Sequence, residues 1–275
     1  MLVRCFSAVR ESHPLVMCFS NIVTANGCAN LLLAAGASPV MAEDPVGAVE
    51  FTEKASALTI NLGTFFPMLR ESARGAQETA LRRGIPVVLD PVGAGCAPSR
   101  TALALEILNR GVSVVRCNRS EANALLGLAS STHGVDASPD DAVTEESLDR
   151  AVNDVRTLAG KYNCVMAVTG AIDLVGDPDG RVAVIRGGHE IMTKVTGSGC
   201  MLTALTGAFA GAEPRFLFEA VSAALAAYGV CGTLAHESLK PGEGCGTFYT
   251  RLIDAIGDLD VTAFHVRLDY EVRQA

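Results

Sequence analysis

The chain has 275 residues, 49% of them hydrophobic, which is enough for one large α/β domain or two small ones; we predict a single domain spanning residues 1–275. A net charge of −8 and only four scattered lysines argue against a nucleic-acid-binding surface, so any bound phosphate must be held by backbone amides, arginine or a metal. Apolar runs fall short of the roughly 18 residues of a membrane span, and charges interrupt the first 17 residues, so we expect a cytoplasmic protein without a membrane segment.

Nine cysteines are spread along the chain, and none of them forms a C-x-x-C pair. No histidine lies at a zinc-ligand spacing from another histidine, which argues against a zinc module. The odd number of cysteines and their apolar surroundings predict reduced thiols in a reducing compartment.

Short apolar runs alternate with helical patterns in the first half of the chain. The strand and helix pairs are 15–19 with 21–35, 57–62 with 66–83, 86–89 with 99–109, and 113–117 with 121–128. Continuous rather than alternating hydrophobicity marks strands that are covered on both faces. The pattern therefore predicts a three-layer α/β/α fold with a mostly parallel central sheet and helices on both faces.

The second half begins with an exposed loop at 130–146, a helix at 147–161 and a strand at 165–169. Two apolar segments, 174–175 and 182–185, flank the turn 176–180 and predict a hairpin that adds antiparallel strands. His189 is placed in a further strand. From Ser198 onward we expect almost only helix, with a second helix from 213 to about 236 and a third opening at Pro241.

An anion hole is predicted where the sequence reads Gly197-Ser198-Gly199-Cys200 before a small, apolar run. The glycines allow close backbone approach, Ser198 can cap the following helix, and unpaired N–H groups would face the anion. Cys200 would lie where the helix dipole lowers the pKa of a thiol. The alternative is a tight turn before a buried helix, with Cys200 as a core residue.

Polar side chains follow three of the predicted parallel strands, where such sheets bind ligands. Asp90 and Glu121 could hold Mg²⁺ through waters beside substrate phosphates, with Arg116 and Thr169 close by. The alternatives are a capping aspartate at 90, a dipole-favoured glutamate at 121, a surface cation at 116 and an ordinary strand residue at 169. No P-loop and no protein-kinase signature occurs, so phosphate binding must use another fold.

A series of short motifs resembles, in order, the hydroxyethylthiazole kinases, thiamine-salvage enzymes of the ribokinase-like superfamily. The motifs are Asn21 with Thr24, Asn26 and 29–30; 36–42; 61–64; 90–95; 116–118 with Glu121; 134–136; 168–170; and 194–200. The resemblance runs from about Leu15 to at least Phe248. Modest departures include Ser198, where many relatives have alanine.

The resemblance implies ATP-dependent phosphorylation of the primary alcohol of 4-methyl-5-(2-hydroxyethyl)thiazole, with Mg²⁺ as cofactor. It places Arg116 and Thr169 at ATP, and Met41, Gly197 and Asn21 at the thiazole. Asp90 and Glu121 would form the magnesium environment, and Cys200 would lie at the reacting hydroxyl. It also implies a homotrimer with the thiazole site near the subunit interface.

Three other functions remain open from the residues. The first is a kinase for the pyrimidine half of thiamine or for another small alcohol. The second is a hydrolase in which Cys200 is the nucleophile, with His189 or His236 as its base. The third is a protein that binds without catalysis.

Overall fold

A computed structural model describes residues 1–128 and 143–274 of the chain. Its nine described strands form one sheet in the order β2-β1-β3-β4-β5-β6-β7-β8-β9. The strands are β1 (Leu15–Phe19), β2 (Ser38–Val40), β3 (Ala57–Asn61), β4 (Val87–Asp90), β5 (Val114–Asn118), β6 (Val165–Thr169), β7 (Ile172–Gly176), β8 (Val182–Arg186) and β9 (Asp269–Arg273). The pairs from β2 to β6 are parallel, and those from β6 to β9 are antiparallel.

Helices connect these strands over the two faces of the sheet. They are α1 (Leu2–Ser12), α2 (Ala25–Ala35), α3 (Pro45–Thr52), α4 (Pro67–Arg83), α5 (Pro98–Arg110), α6 (Arg119–Leu126), α7 (Leu148–Tyr162), α8 (Ser198–Ala212), α9 (Leu217–Glu237), α10 (Cys245–Asp258) and α11 (Val261–Arg267).

Each face of the sheet has its own hydrophobic core. One core packs α1, α2 and α8 to α11 against strand residues such as Val16 and Val88. The other packs α3 to α7 against the alternating residues, such as Met17 and Leu89. Because successive strand side chains point to opposite faces, continuous apolar strands supply both cores. The predicted three-layer α/β/α fold with a mostly parallel sheet is confirmed.

Most predicted elements are present, including the hairpin of β7 and β8. Four elements were not predicted, namely α1, α3, β2 and β9. The helix predicted from Asn21 begins at Ala25, because residues 21–24 form a turn in which Thr24 N–H donates to the Asn21 backbone carbonyl. The predicted strand at His189 is wrong, since a 3₁₀ turn at Glu190–Lys194 follows it directly. Residues 130–142 of the predicted loop lie outside the described residues.

Among the described helices, α9 is long and apolar enough by composition to cross a membrane. However, 78% of its most apolar window is buried within the fold, where it packs against α8, α10 and α1. We therefore assign α9 to the core.

All nine cysteines lie in the described residues and none of them forms a disulfide, as the prediction of reduced thiols requires. Six are buried, Cys200 is half-buried, and Cys96 and Cys245 are exposed.

Candidate active site

The carboxyl ends of the six parallel strands meet at one edge of the sheet. The strand register pairs Asn61 with Asp90 and Asn118 with Thr169. Asn21 follows β1 closely, and Met41 follows β2 directly. The sequence prediction that Asp90, Asn118 and Thr169 lie together at the carboxyl ends of their strands is confirmed.

The first turn of α8 faces the same edge and begins at a glycine that no other residue can replace without strain. Gly197 has φ 85°, and a Cβ on it would lie 2.3 Å from Thr24 Cγ2. The N–H of Ser198 donates to Val195 O, and the N–H of Met201 donates to Gly197 O. Gly199 and Cys200 lie between Ser198 and Met201 in the first turn of α8. Backbone N–H groups in the first turn of a helix have no intrahelical acceptor. The amides of Gly199 and Cys200 are the part of the predicted anion hole that could bind an anion, because the Ser198 N–H, which the prediction also included, already donates to Val195 O.

The prediction that Ser198 caps α8 is wrong. The N-cap is Gly197, which has no side chain that could accept a capping hydrogen bond. Ser198 is already the first helical residue, so its side chain cannot reach the amides ahead of it. Its hydroxyl instead lies 3.2 Å from the Tyr228 hydroxyl of α9.

The Cys200 sulfur accepts hydrogen bonds from two side-chain amides. Asn21 Nδ2 and Asn61 Nδ2 each lie 3.2 Å from Sγ. Backbone donors fix both amide orientations, because Thr24 N–H donates to Asn21 Oδ1 (3.1 Å) and Gly63 N–H donates to Asn61 Oδ1 (2.9 Å). The nitrogen of each amide must therefore face the sulfur. This specific cradle argues against Cys200 as an ordinary core residue.

The predicted lowering of the Cys200 pKa is not observed. Burial, followed by the nearby Asp90 carboxylate, raises the pKa of the Cys200 thiol, while hydrogen bonds from Thr24 and Asn61 and the charge of Arg116 oppose that rise. The helix N-terminus was the only influence visible in the sequence, and desolvation outweighs it.

Asp90 is fully buried at the end of β4. Its Oδ2 accepts hydrogen bonds from Asn61 Nδ2 (2.9 Å) and Thr203 Oγ1 (2.7 Å), and Arg116 Nη1 lies 3.6 Å from it. Burial raises the pKa of the carboxyl, whereas Arg116, Thr203 and Asn61 lower it. Its Oδ1 is buried and has no hydrogen-bond partner among the described residues. That oxygen fits a cation, because Mg²⁺ prefers carboxylate oxygen.

Arg116 is a buried part of the site rather than a surface cation, with 11% of its side chain exposed. Its Nη2 donates to Thr169 Oγ1 at 2.6 Å, which makes Thr169 part of the same site. A Cβ on Gly199 would lie 2.6 Å from Arg116 Nη1. The guanidinium therefore lies against the first turn of α8, next to the anion hole, and Gly199 is the residue that permits this approach.

Glu121 is less available to a metal than the sequence suggested. Its two oxygens accept the N–H of Gly93 (3.2 Å) and of Asn118 (2.9 Å), and with Asn118 it completes a capping box at the start of α6. Burial, with Asp90 next, raises the pKa of Glu121 to about 8. Residues 1–128 and 143–274 contain no group of three His, Cys, Asp or Glu suited to a metal. A cation at this site would be held directly by Asp90 and would contact Glu121 only through a water molecule.

Two further site residues, Asn61 and Thr203, were not assigned roles from the sequence. Asn61 bridges Cys200 and Asp90, and Thr203 reaches Asp90 from one turn inside α8. The signal for Asn61 was its place at the end of a buried strand, although its motif was noted only for the resemblance. Thr203 lay within an apolar run and gave no such signal.

The two histidines considered as bases for a cysteine nucleophile lie against each other. The His189 and His236 rings stack with centroids 3.4 Å apart, and His189 Nδ1 accepts the Ile191 N–H. Neither is a hydrogen-bond partner of Cys200 in the described structure. Together with the raised pKa of Cys200, this arrangement disfavours a cysteine hydrolase.

The chain is similar to known proteins over most of its length. The family model "Hydroxyethylthiazole kinase family" matches residues 6–262. A hydroxyethylthiazole kinase of Clostridium beijerinckii is 43% identical over 91% of this chain and 90% of its own. The solved structure of a Pyrococcus horikoshii OT3 hydroxyethylthiazole kinase superposes with a TM-score of 0.87 at 36% identity, covering 99% of both chains.

A more distant structure, a ribokinase-like superfamily protein from Enterococcus faecalis V583, has a TM-score of 0.57 at 13% identity over 92% of this chain and 89% of its own. At that identity the similarity concerns the fold alone, and it confirms the ribokinase-like architecture. The extent of the family match and the identity to its members establish that this chain belongs to the hydroxyethylthiazole kinase family.

Proposed function

We propose that this chain transfers the γ-phosphoryl group of ATP to the primary alcohol of 4-methyl-5-(2-hydroxyethyl)thiazole, as part of thiamine salvage. The chain belongs to this kinase family, and one observation carries the proposal. The Cys200 sulfur lies between the side-chain amides of Asn21 and Asn61 and beside the backbone amides of Gly199 and Cys200. This places a group that can bind a hydroxyl next to a group that can bind a phosphoryl.

ATP binding is assigned to Arg116, Thr169 and the anion hole. The Arg116 guanidinium lies beside the first turn of α8 and is fixed by Thr169, so it offers oriented donors to phosphate oxygens. The amides of Gly199 and Cys200 would stabilise the charge on the transferring phosphoryl group.

The thiazole is assigned to Met41, Gly197 and Asn21. Met41 is half-buried after β2, and Asn21 is buried after β1 on the neighbouring strand. The Met41 side chain offers a polarisable apolar surface to a flat heterocycle.

Cys200 orients the hydroxyl and accepts its proton as the oxygen–phosphorus bond forms. In this step the substrate O–H bond breaks, an S–H bond forms on the thiolate, and the bond between the γ-phosphorus and the ADP oxygen breaks. Burial raises the pKa of the thiol, so the thiolate is a minor species at neutral pH but a strong base. Positioning and charge stabilisation supply most of the acceleration in such transfers.

A magnesium ion, when bound, would neutralise phosphate charge at this site. Asp90 would hold it through the buried Oδ1, and Glu121 would contact it only through water.

We further propose that the chain works as a single-domain protomer of a cytoplasmic homotrimer. Exposed apolar side chains near the site edge support association, since Ile22 is 81% and Val23 is 66% exposed just after β1. Sedimentation equilibrium of the pure protein tests the trimer.

The decisive experiment for the function is incubation with ATP and Mg²⁺ and a panel of thiazole and pyrimidine alcohols, with ADP and the phosphorylated alcohol as readouts. We expect phosphorylation of the hydroxyethylthiazole. Preference for a pyrimidine alcohol would replace the substrate, ester hydrolysis without ATP would indicate a hydrolase, and tight binding without ADP would indicate a binding protein.

A further inference from the structure

Tyr228 of α9 is buried, with 3% of the residue exposed, and its hydroxyl is bound to a single residue of α8. The hydroxyl donates to the Ser198 carbonyl oxygen at 2.9 Å. Its one hydrogen is used there, so the 3.2 Å contact with Ser198 Oγ is a hydrogen bond that Ser198 donates to Tyr228. The two bonds close a clamp between α9 and the first residue of α8.

The clamped carbonyl belongs to the same peptide unit as the Gly199 N–H. In a planar trans peptide the C=O and N–H bonds point in opposite directions. A donor that holds the Ser198 oxygen on the α9 side therefore aims the Gly199 N–H to the other side. The Arg116 guanidinium is a close neighbour of Gly199, because a Cβ on Gly199 would lie 2.6 Å from Arg116 Nη1.

We propose that Tyr228 is a positioning residue that sets the direction of the Gly199 amide in the anion hole by holding the Ser198–Gly199 peptide unit. The proposal rests on the proposed kinase function for its catalytic consequence. It needs a rigid anchor, which α9 provides, since Gly229 beside Tyr228 packs against the backbone of Gly187 in the loop after β8. A pre-oriented donor stabilises the transition state without reorganising during the reaction.

The test is Tyr228→Phe, which removes the hydroxyl and keeps the buried ring. We expect kcat to fall about tenfold, less than the 10²-fold or more that follows complete removal of such a donor. The ratio kcat/KM for ATP should fall by the same factor, because the lost interaction acts in the transition state.

Tyr162→Phe is the matched control. Tyr162 also donates through its hydroxyl to a helix carbonyl, Leu125 O at 2.8 Å, but it ends α7 and lies at the opposite edge of the sheet from the site. Both variants lose a hydrogen bond to a helix carbonyl, and Tyr228→Phe, which also loses the bond from Ser198 Oγ, should lower Tm at least as much as Tyr162→Phe. Only Tyr228→Phe should lower kcat. Equal losses of kcat in the two variants, or a kcat within twofold of the parent in Tyr228→Phe, would overturn the proposal.

A double variant tests whether the two hydroxyls act as one clamp. Ser198→Ala alone should lower kcat about threefold, and Ser198→Ala/Tyr228→Phe should lose no more than Tyr228→Phe. A double variant in which the two losses multiply would contradict a shared clamp.

Amide hydrogen exchange provides a readout that does not depend on the reaction. In Tyr228→Phe, exchange at Met201 and Leu202 should accelerate about fivefold, the factor expected for one lost hydrogen bond, while Tyr162→Phe leaves it unchanged. If the parent protein does not phosphorylate the thiazole, the proposed function fails, and the exchange result still decides whether Tyr228 holds this turn. Unchanged exchange in Tyr228→Phe would refute the clamp itself.

Discussion

Two substitutions at Cys200 distinguish a proton acceptor from a covalent nucleophile. A covalent nucleophile cannot be replaced by a carboxylate, whereas a proton acceptor can. Cys200→Ala should lose roughly 10²-fold in kcat, the usual size of a general-base contribution. Cys200→Asp should keep substantial activity, because a carboxylate can accept the hydrogen bonds that Asn21 and Asn61 now donate to the sulfur.

The dependence of kcat on pH provides a second test of the proton-acceptor role. The raised pKa of the Cys200 thiol means that kcat of the parent should rise with pH across the neutral range, as the thiolate forms. Cys200→Asp should reach its plateau at lower pH. The rates are to be compared at saturating ATP, because a second carboxylate near Asp90 could weaken ATP binding. An aspartate variant that binds both substrates and is inactive at every pH would refute the proton-acceptor role.

Asp90 should matter for metal dependence more than for stability. Asp90→Asn keeps the shape, but it replaces a carboxylate oxygen by a weaker ligand and removes the charge that faces Arg116. We expect a lower kcat and a higher Mg²⁺ concentration for half-maximal rate. Glu121→Gln is the comparison, because both Glu121 oxygens are held by backbone N–H groups. An equal increase of the Mg²⁺ requirement in both variants would contradict the assignment of Asp90, rather than Glu121, as the direct ligand of the ion.

Arg116 is best tested by a change that keeps its charge. Arg116→Lys retains a cation beside Asp90 but loses the planar fork that also reaches Thr169. We expect KM for ATP to rise about tenfold or more, with KM for the thiazole changed less than threefold. Steady-state kinetics with each substrate varied in turn measures this difference, and equal increases in both KM values would remove Arg116 from the ATP site.

The start of α8 depends on a backbone conformation that only glycine adopts readily. Gly197→Ala would place a Cβ 2.3 Å from Thr24 Cγ2 at φ 85°, so both the clash and the strain disfavour the native turn. We expect a loss of about 2 kcal/mol or more in the free energy of unfolding, together with loss of activity. Gly160→Ala is a control inside α7, where an added Cβ meets nothing within 4 Å. Urea unfolding of both variants provides the measurement.

The elements that the sequence predicts well are those whose burial dominates their composition. The strands from β1 to β6, except β2, are continuous apolar runs, so the parallel core could be predicted. By contrast, β9 (Asp269–Arg273) is a charged edge strand and β2 is a three-residue edge strand containing Pro39. Neither has an apolar pattern, because edge strands are partly exposed.

The candidate site could be located from the sequence but not built from it. Strand ends and the glycines of the anion hole were visible as motifs, because parallel topology brings strand ends together. The bridging amide of Asn61 and the hydroxyl of Thr203 depend on contacts between distant segments. Burial of Cys200 likewise depends on the whole fold, which is why the direction of its pKa change was predicted wrongly.

Across the whole molecule, the site edge concentrates two buried acids, Asp90 and Glu121, and the half-buried Asp173, at a cost to stability. Burial raises the pKa of Asp90, brings that of Glu121 to about 8 and brings that of Asp173, which accepts the Gly170 N–H, to about 6. The folded state therefore binds more protons than the unfolded state in the range between the ordinary and the raised pKa values. Stability from these groups is fully present below about pH 4 and is lost as pH rises through the raised values.

Asp173→Asn isolates one of these contributions, because the amide oxygen can still accept the Gly170 N–H and carries no charge. Relative to the parent, the variant should gain about 2 kcal/mol in the free energy of unfolding between pH 4 and pH 7, most of it around pH 4–6. Urea unfolding across this range measures the gain, and Asp179→Asn in the exposed hairpin turn serves as the control. A difference between Asp173→Asn and the parent that stays constant with pH would show that the Asp173 carboxylate is solvated in the folded protein and does not contribute to this pH dependence.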